Sequence, residues 1–264
     1  KSKKTENQFI YSLFSGKDTN KDQSYFLCQL SQYQLSKVMF PIGDLDKKEV
    51  RLIAKQQNLI TAEKKDSQGL CFVGKVKLPE FLQQKLKVKK GKVILISKNN
   101  EIFNSVSDPN DFSVQNLKLM SNPYNYSIDK GSVIGNHDGA HFFTIGQRKG
   151  LAIGGTKEPL FVIGTDVVNN LVYVGEGKNH PGLYRKVLFV LEKNFHRLRE
   201  DYDYTDSKLF DTRIRYRQPL QKSQLVFTEN GTFFIFDKPQ SSITKGQFVV
   251  WYNGDELIGS GVID

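Results

Sequence analysis

From Ser24 to Met39 the chain reads SYFLCQLSQYQLSKVM, with Phe26, Leu27, Leu30, Leu35, Val38 and Met39 recurring near the spacing of a helical face, and this pattern predicts an amphipathic helix. The next stretch, PIGDLDKKEVRLIAKQQNL, opens on a proline-glycine turn and sets Asp46 three residues before Glu49 in the order of a capping box. With Val50, Ile53 and Ala54 on one face it predicts a second helix ending near Asn58. Beyond Cys71 the apolar period shortens to that of strands. KVILIS (Lys92–Ser97), an Asn99–Asn100 turn and EIF predict a hairpin. LFVIGTDVVNNLVYVGEG predicts a clearer one, with Asn169–Asn170 suited to the positive φ of a tight turn. Between them NSVSDPNDFSVQNLKLMSNPYNYS is polar and proline-containing, and is expected to be a surface loop without recognisable chemistry. From about His180 onward VLFVLEK, SKLFDTRIRYRQ, SQLVFTENGTFFIFDKP and GQFVVWYNGDELIGSGVID alternate, with turns at Asn230–Gly231 and Asn253–Gly254. Evenly spaced short strands of this kind favour a small barrel or sandwich. The order is helices, a β module and a second β module, an α+β multidomain arrangement with no internal repeat.

At 264 residues the chain has length for two or three compact units, and no apolar run approaches a membrane span, so no membrane partner is expected. Cys28 and Cys71 are the two cysteines, too few for a disulfide framework, which points to a reducing compartment and makes any redox chemistry catalytic. The chain begins at Lys1 without an initiator Met or a signal-peptide pattern, and an upstream segment is expected to precede it. An excess of 38 Lys+Arg over 28 Asp+Glu, net +10, brings polyanions forward as partners without choosing among them.

The densest unusual stretch is GNHDGAHFFTIGQRKGLAIGG, Gly135 to Gly155. His137, Asp138 and His141 raise a metal reading, but the glycines oppose a helix and no third strong ligand follows, so turn residues are expected and no metal. GQRKG brings Arg148 and Lys149 between glycines, where backbone amides and cations could meet a phosphate; it lacks Walker spacing, and an RNA or active-site loop and a packing loop stay equally open. RIRYRQ, read as a strand, sets Arg213, Arg215 and Arg217 on one face and Tyr216 on the other, suited to phosphates or simply to solvent. Cys28, beside Leu27 and Leu30, reads as core. Cys71 has Lys64, Lys65 and Lys75 near in sequence, which would lower a thiol pKa, but spacing alone leaves it between inert and catalytic.

Taken in order, KDQSYFL (Lys21–Leu27), FPIGDLDKKEVRLIA (Phe40–Ala54), TAEKKDSQGLCFVG (Thr61–Gly74), HDGAHFFTIGQRKGLAIGG (His137–Gly155), the Val162–Gly177 hairpin, RIRYRQ and KGQFVVWYNGDELIGSGVI (Lys245–Ile263) resemble the tRNA-specific 2-thiouridylases through nearly the whole chain. The resemblance implies replacement of the 2-oxygen of a wobble uridine (U34) of tRNA by sulfur. An N-terminal ATP-pyrophosphatase domain would adenylate O2, and a cysteine persulfide would deliver sulfur, with a second cysteine releasing it. It implies Cys71 as persulfide carrier and Lys21, Asp22, Gln23, Arg215, Tyr216 and Gln247 as tRNA contacts; Arg148 and Lys149 receive no role from it. The implied fold is the helical end of an α/β ATP-pyrophosphatase domain (1–75), a small β-rich central domain (76–179) and a C-terminal β-barrel (180–264). The family's SGGxDSS phosphate loop and first catalytic cysteine are not found in this sequence, and Cys28 occupies a position usually aromatic or apolar. ATP binding is therefore expected upstream, and this chain alone is expected to bind tRNA without thiolating it. The implied partners are tRNA and a sulfur-donor protein, a cysteine desulfurase or sulfur-relay protein, and the implied location is cytoplasmic, or organellar in a eukaryote. A non-catalytic RNA-binding protein that has shed the ATP domain is the alternative; a thiol-redox protein without RNA leaves RIRYRQ and the charge unexplained.

Overall fold

The computed structural model describes residues 1–4, 9–64, 88–104, 108, 110–204 and 209–264. The chain forms two units: Lys1–Lys65 with Val187–Lys238 and Lys245–Asp264, and Asp66–Lys186 with Pro239–Thr244. Among the described residues no helix is long and apolar enough to cross a membrane.

Strands β8 (Tyr184–Arg197), β9 (Leu209–Arg213), β10 (Gln221–Thr228), β11 (Gly231–Ser241), β12 (Phe248–Asn253) and β13 (Glu256–Ile263), which apart from the first residues of β8 and the last of β11 belong to the first unit, run in the order β12-β9-β10-β11-β8-β13. Pairing of β12 with β13 closes them into a six-stranded barrel, and β3 (Leu13–Phe14) adds to β13 outside the ring. The β12–β13 turn places Gly254 at φ 59, which glycine adopts without a Cβ clash. Strand β12 is buried almost throughout, because both of its faces are covered. Trp251 packs against the tilted rings of Phe195 and Phe234 at centroid distances of 4.7 and 5.1 Å, while its neighbours Val250 and Tyr252, on the other face, pack with Leu13, Tyr25, Cys28 and Leu35. Gly259 permits this packing, since a Cβ there would meet Trp251 Cζ2 at 2.3 Å.

The N-terminal segment is thus a cover for the barrel, and this overrides the helix predicted over Ser24–Met39. Residues 24–29 are turns, and a short helix α1 (Gln32–Leu35) starts only at the Ser31–Gln34 capping box. The Gln32 side chain ties this helix to neighbouring segments: Oε1 accepts from Tyr11 N at 2.8 Å, and Nε2 donates to Tyr11 O at 2.9 Å and Leu198 O at 2.7 Å. Tyr11 ends β2 (Phe9–Tyr11), which pairs with β1 (Ser2–Lys4). Helix α2 (Lys47–Gln56) forms as predicted, with the Asp46–Glu49 capping box made in both directions.

The second unit holds a four-stranded sheet of β4 (Gly91–Leu95), β5 (Ser132–His137), β6 (Leu160–Asp166) and β7 (Leu171–Glu176), ordered β5-β4-β7-β6. Strand β4 does not form the predicted hairpin: EIF is a 3-10 turn capped by Asn100, and β4 pairs antiparallel with β5 and parallel with β7. Its unbroken apolar run follows from burial of both faces, Val93 with Val162, Val172 and Val174 on one side and Ile94 with Ile163, Tyr173 and Leu183 on the other. The β6–β7 hairpin forms as predicted, with Asn170 at φ 57. The expected loop contains a helix, α3 (Val114–Ser121), because Ser113 caps it by accepting from Asn116 N and Leu117 anchors it in the interior.

Candidate functional site

KDQ begins where the N-terminal cover reaches the barrel, and its three residues have different fates. Asp22 is 4% exposed. Its Oδ1 accepts from Ser24 N at 3.0 Å and Gly16 N at 3.3 Å, an Asx turn with one longer tie, and its Oδ2 accepts from Ser24 Oγ at 2.8 Å. Arg213 Nη1 lies 3.3 Å from Oδ2. Since Ser24 gives its single proton to the carboxylate, the 3.0 Å contact of Ser24 Oγ with Tyr252 Oη is a bond donated by the tyrosine. The Arg213 guanidinium lies 5.0 Å from the Tyr252 ring centroid, and burial pushes the Tyr252 phenol up to about 12. Tyr252, Ser24, Asp22 and Arg213 therefore form one inward chain of polar groups.

Gln23 is exposed and faces the other way. Its Nε2 donates to Tyr216 Oη at 2.9 Å and to Lys21 O at 3.2 Å. The Tyr216 ring meets Phe26 at a centroid distance of 4.6 Å, and the Arg217 guanidinium lies 5.2 Å from its centroid.

The predicted strand face of three arginines does not exist. Strand β9 stops at Arg213, which is buried against Asp22, and residues 214–217 are bends and turns. Gln218 shapes the turn: Oε1 accepts from Ile214 N at 2.9 Å and its backbone N donates to Arg215 O at 3.2 Å. Pro219 follows, and Arg217 takes a left-handed φ of 63. Arg215 is half-buried, and that burial lowers its pKa while the nearby Tyr25 raises it. Tyr25 ties the turn to the barrel by sharing its proton between Ile214 O at 3.2 Å and Phe248 O at 3.0 Å. Next to Phe248, Gln247 carries a buried Oε1 with no hydrogen-bond partner among the described residues.

Arg148 and Lys149 lie in the other unit, exposed in a loop held to β6 by Gly146 N to Val162 O at 2.7 Å and Val162 N to Gln147 O at 2.9 Å. Gln147 also closes the loop, accepting from Thr144 N and donating to Lys149 O. His137, Asp138 and His141 are turn and strand-end residues: His137 Nδ1 accepts from Gly139 N at 3.0 Å, and Asp138 pairs with Lys90. No group of three or more metal-ligating side chains occurs among the described residues.

Three family models match the chain: a tRNA methyl transferase HUP domain over residues 1–75, a tRNA methyl transferase PRC-barrel domain over 122–176, and an aminomethyltransferase beta-barrel domain over 185–263. The tRNA-specific 2-thiouridylase MnmA of Christiangramia forsetii is 57% identical over 256 residues, which cover 96% of this chain and 65% of that protein. The MnmA of Flavobacterium johnsoniae is 56% identical with the same coverage, and that of Karelsulcia muelleri is 49% identical over 253 residues, 96% of this chain and 64% of the relative. The chain belongs to the tRNA-specific 2-thiouridylase family. It spans about 65% of the length of these relatives.

The thiouridylase match frames the positions. Cys71 lies outside the described residues. The region matching the HUP domain contains KDQ and Cys71, the one matching the beta-barrel domain contains RIRYRQ and Gln247, and the one matching the PRC-barrel domain contains Arg148 and Lys149. The structure brings Gln23 and Tyr216 into contact across 193 positions. It also brings Phe26, Arg213 and Arg217 into the KDQ surroundings, Phe26 having been read in sequence as part of a helix face and the two arginines as part of a strand face. Cys28 is 0% exposed and burial pushes its thiol up, as a core cysteine requires.

Proposed function

We propose that this chain is part of an enzyme that replaces the 2-oxygen of the wobble uridine of tRNA with sulfur, Cys71 carrying the sulfur and the surface around Gln23 and Tyr216 forming part of the tRNA seat. The observation that carries the reading is the Gln23–Tyr216 hydrogen bond, which joins the two tRNA-contact words of the family resemblance on an accessible part of a chain with net charge +10. Lys21 and Arg215 neutralise phosphates there, Gln247 offers an amide, and Asp22 acts as a positioning residue because its carboxylate is committed inward. Arg148 and Lys149 are a second, exposed pair of cations for RNA or the active-site loop. We divide the chain functionally at 1–75, 76–179 and 180–264.

In this mechanism the terminal sulfur of a Cys71 persulfide attacks C2 of the uridine, forming C2–S as C2–O2 breaks. Thiolate attack by a second cysteine on Sγ of Cys71 then releases the sulfur with C2 and leaves a disulfide. A thiol reductant reopens the disulfide before a sulfur-donor protein, a cysteine desulfurase or sulfur-relay protein, reloads Cys71. Cys28 is not that second cysteine, because its thiol is enclosed by Tyr25, Leu35 and Val250. ATP supplies the leaving group at O2 by adenylation, and we assign its site to the part of the relatives that this chain does not span. The Gly146–Gly150 loop does not fit its phosphates, since Gly146 N is bonded to Val162 O, and no step is routed through it. The chain alone is expected to bind tRNA without thiolating it, and a cytoplasmic location accords with the chemistry.

In the full-length protein Cys71→Ser should abolish 2-thiouridine, read by mass analysis of tRNA nucleosides, with tRNA affinity nearly intact; full activity overturns the carrier role. Arg215→Ala should weaken binding and reduce the salt slope by roughly one phosphate's worth. An unchanged slope sends the RNA elsewhere.

A further inference from the structure

Phe26 is 58% exposed although Tyr25 before it and Cys28 two residues on are buried. Its ring is nevertheless held from two directions, edge-on by Tyr25 at 5.7 Å and 82° and by Tyr216 at 4.6 Å and 47°. Tyr216 is itself fixed by Gln23 Nε2, and because Tyr216 Oη accepts that bond its own proton is left to donate outward. Arg217 lies 5.2 Å from the Tyr216 centroid and is exposed. An isolated exposed phenylalanine is ordinary. A braced one, beside a guanidinium, an amide and a hydroxyl, has the parts that hold an unpaired nucleotide: a π face for the base, a donor for its edge or phosphate, and a cation. Every bracing contact is made before ligand arrives, so little side-chain ordering remains to be lost on binding.

Resting on the tRNA reading above, we propose that Phe26 is a stacking platform for one unpaired nucleobase of the RNA, with Tyr216 as its brace and Arg217 as the cation for the adjoining phosphate. This gives Tyr216 a different part from that of the stacking residue itself. It also explains why an aromatic ring follows KDQ at a point where the chain turns outward from the barrel cover.

The test uses the full-length protein and three RNA probes: a hairpin with an unpaired loop, the same hairpin with abasic loop nucleotides, and a duplex of equal charge. Phe26→Leu keeps an apolar contact with Tyr216 but removes the π face. It should weaken binding to the intact loop roughly tenfold, while leaving the abasic hairpin and the duplex unchanged. Phe26→Trp should retain affinity, and emission of the introduced indole should be quenched by the intact loop and not by the duplex. Equal losses for intact and abasic loops, unaltered affinity for the intact loop, or an indole that the loop does not quench would each overturn the platform. Salt-dependent binding of the unsubstituted protein together with an indifferent Phe26→Leu removes only this inference. Failure of the unsubstituted protein to bind any of the RNAs removes the tRNA reading as well.

Discussion

In the unit that carries the barrel, the buried charged groups among the described residues are Asp22 and Arg213, paired and tied through Ser24 to Tyr252. In the unit built on the four-stranded sheet no carboxylate, lysine or arginine is buried among the described residues, and the buried titratable groups there are His137, His180 and the Tyr173 phenol, which burial pushes up. His180 sits with Nε2 3.1 Å from Ile96 O and Nδ1 accepting from Gly182 N at 3.2 Å. That is the geometry of one neutral tautomer, an N–H facing a carbonyl and a lone pair facing an amide. One unit buries a charge with its partner, and the other buries a neutral imidazole. The first solution fixes where KDQ lies relative to RIRYRQ, since Arg213 and Tyr216 stand on the same short stretch. The second leaves imidazoles whose burial disfavours their charged form.

The sharpest way to break this comparison is Arg213→Ala. It leaves the Asp22 carboxylate enclosed without its cation, and removing one partner of a buried pair costs about 3–5 kcal/mol. Trp251, the single tryptophan of the chain and fully buried in the barrel, reports the affected unit directly. Its fluorescence-detected unfolding midpoint should fall strongly in Arg213→Ala. In Arg217→Ala, which touches only the face of an accessible ring, the change should stay within about 0.5 kcal/mol. Equal effects would mean that the inward and outward halves of RIRYRQ are not distinct.

That distinction was not legible in the sequence. Alternation in RIRYRQ fits a strand, and the features that end the strand are Pro219, the left-handed Arg217 and a pairing with Asp22 across 191 positions of which no local spacing gives a sign. The stretch 24–39 failed for a related reason. Its apolar residues do recur at helical intervals, but they are used to cover the outside of β12, and the tertiary demand won over local period. Ser31 and Gln34 did carry a readable capping box that starts the helix late. Where local chemistry and fold agree, the sequence reads well: Asp46 with Glu49 gave α2, and the Asn-Gly turns with alternating strands gave the barrel. Strand β4 could not be paired from sequence because its neighbours come from remote positions, and a run buried on both faces carries no alternation to set a register. Of the site, the KDQ and RIRYRQ words were legible through family resemblance, whereas the burial of Asp22 and the bracing of Phe26 arise from contacts between segments remote in sequence.

The second unit should be the one that responds to mild acid. Burial lowers the pKa of both His137 and His180 below the ordinary 6.5. A base with a depressed folded pKa is protonated first in the unfolded state, so its contribution is fully present above about pH 6.5 and is lost as pH falls toward the folded value. Hydrogen exchange of peptides from β4 and β7, corrected for intrinsic rates, should show protection falling below that pH by up to about tenfold per pH unit for one histidine. His180→Gln should flatten the profile. A fall confined to barrel peptides would reverse the assignment of pH sensitivity.

Smaller effects test whether the barrel's polar chain depends on charge or on hydrogen bonding. Tyr252→Phe removes the proton donated to Ser24 Oγ, yet Ser24 still donates to Asp22 and the carboxylate keeps Arg213, so no charge is orphaned. The expected loss is that of one ordinary buried hydrogen bond, about 1 kcal/mol, well below Arg213→Ala when both are read through Trp251. Gln23→Ala, on the outward side, should change the same midpoint by less than about 0.5 kcal/mol, because its amide joins exposed groups. If Tyr252→Phe instead costs as much as Arg213→Ala, the inward chain acts as a cooperative network in which the tyrosine proton matters as much as the ion pair. The graded order Arg213, Tyr252, Gln23 is what a buried pair with a neutral extension and a solvent-facing neighbour requires.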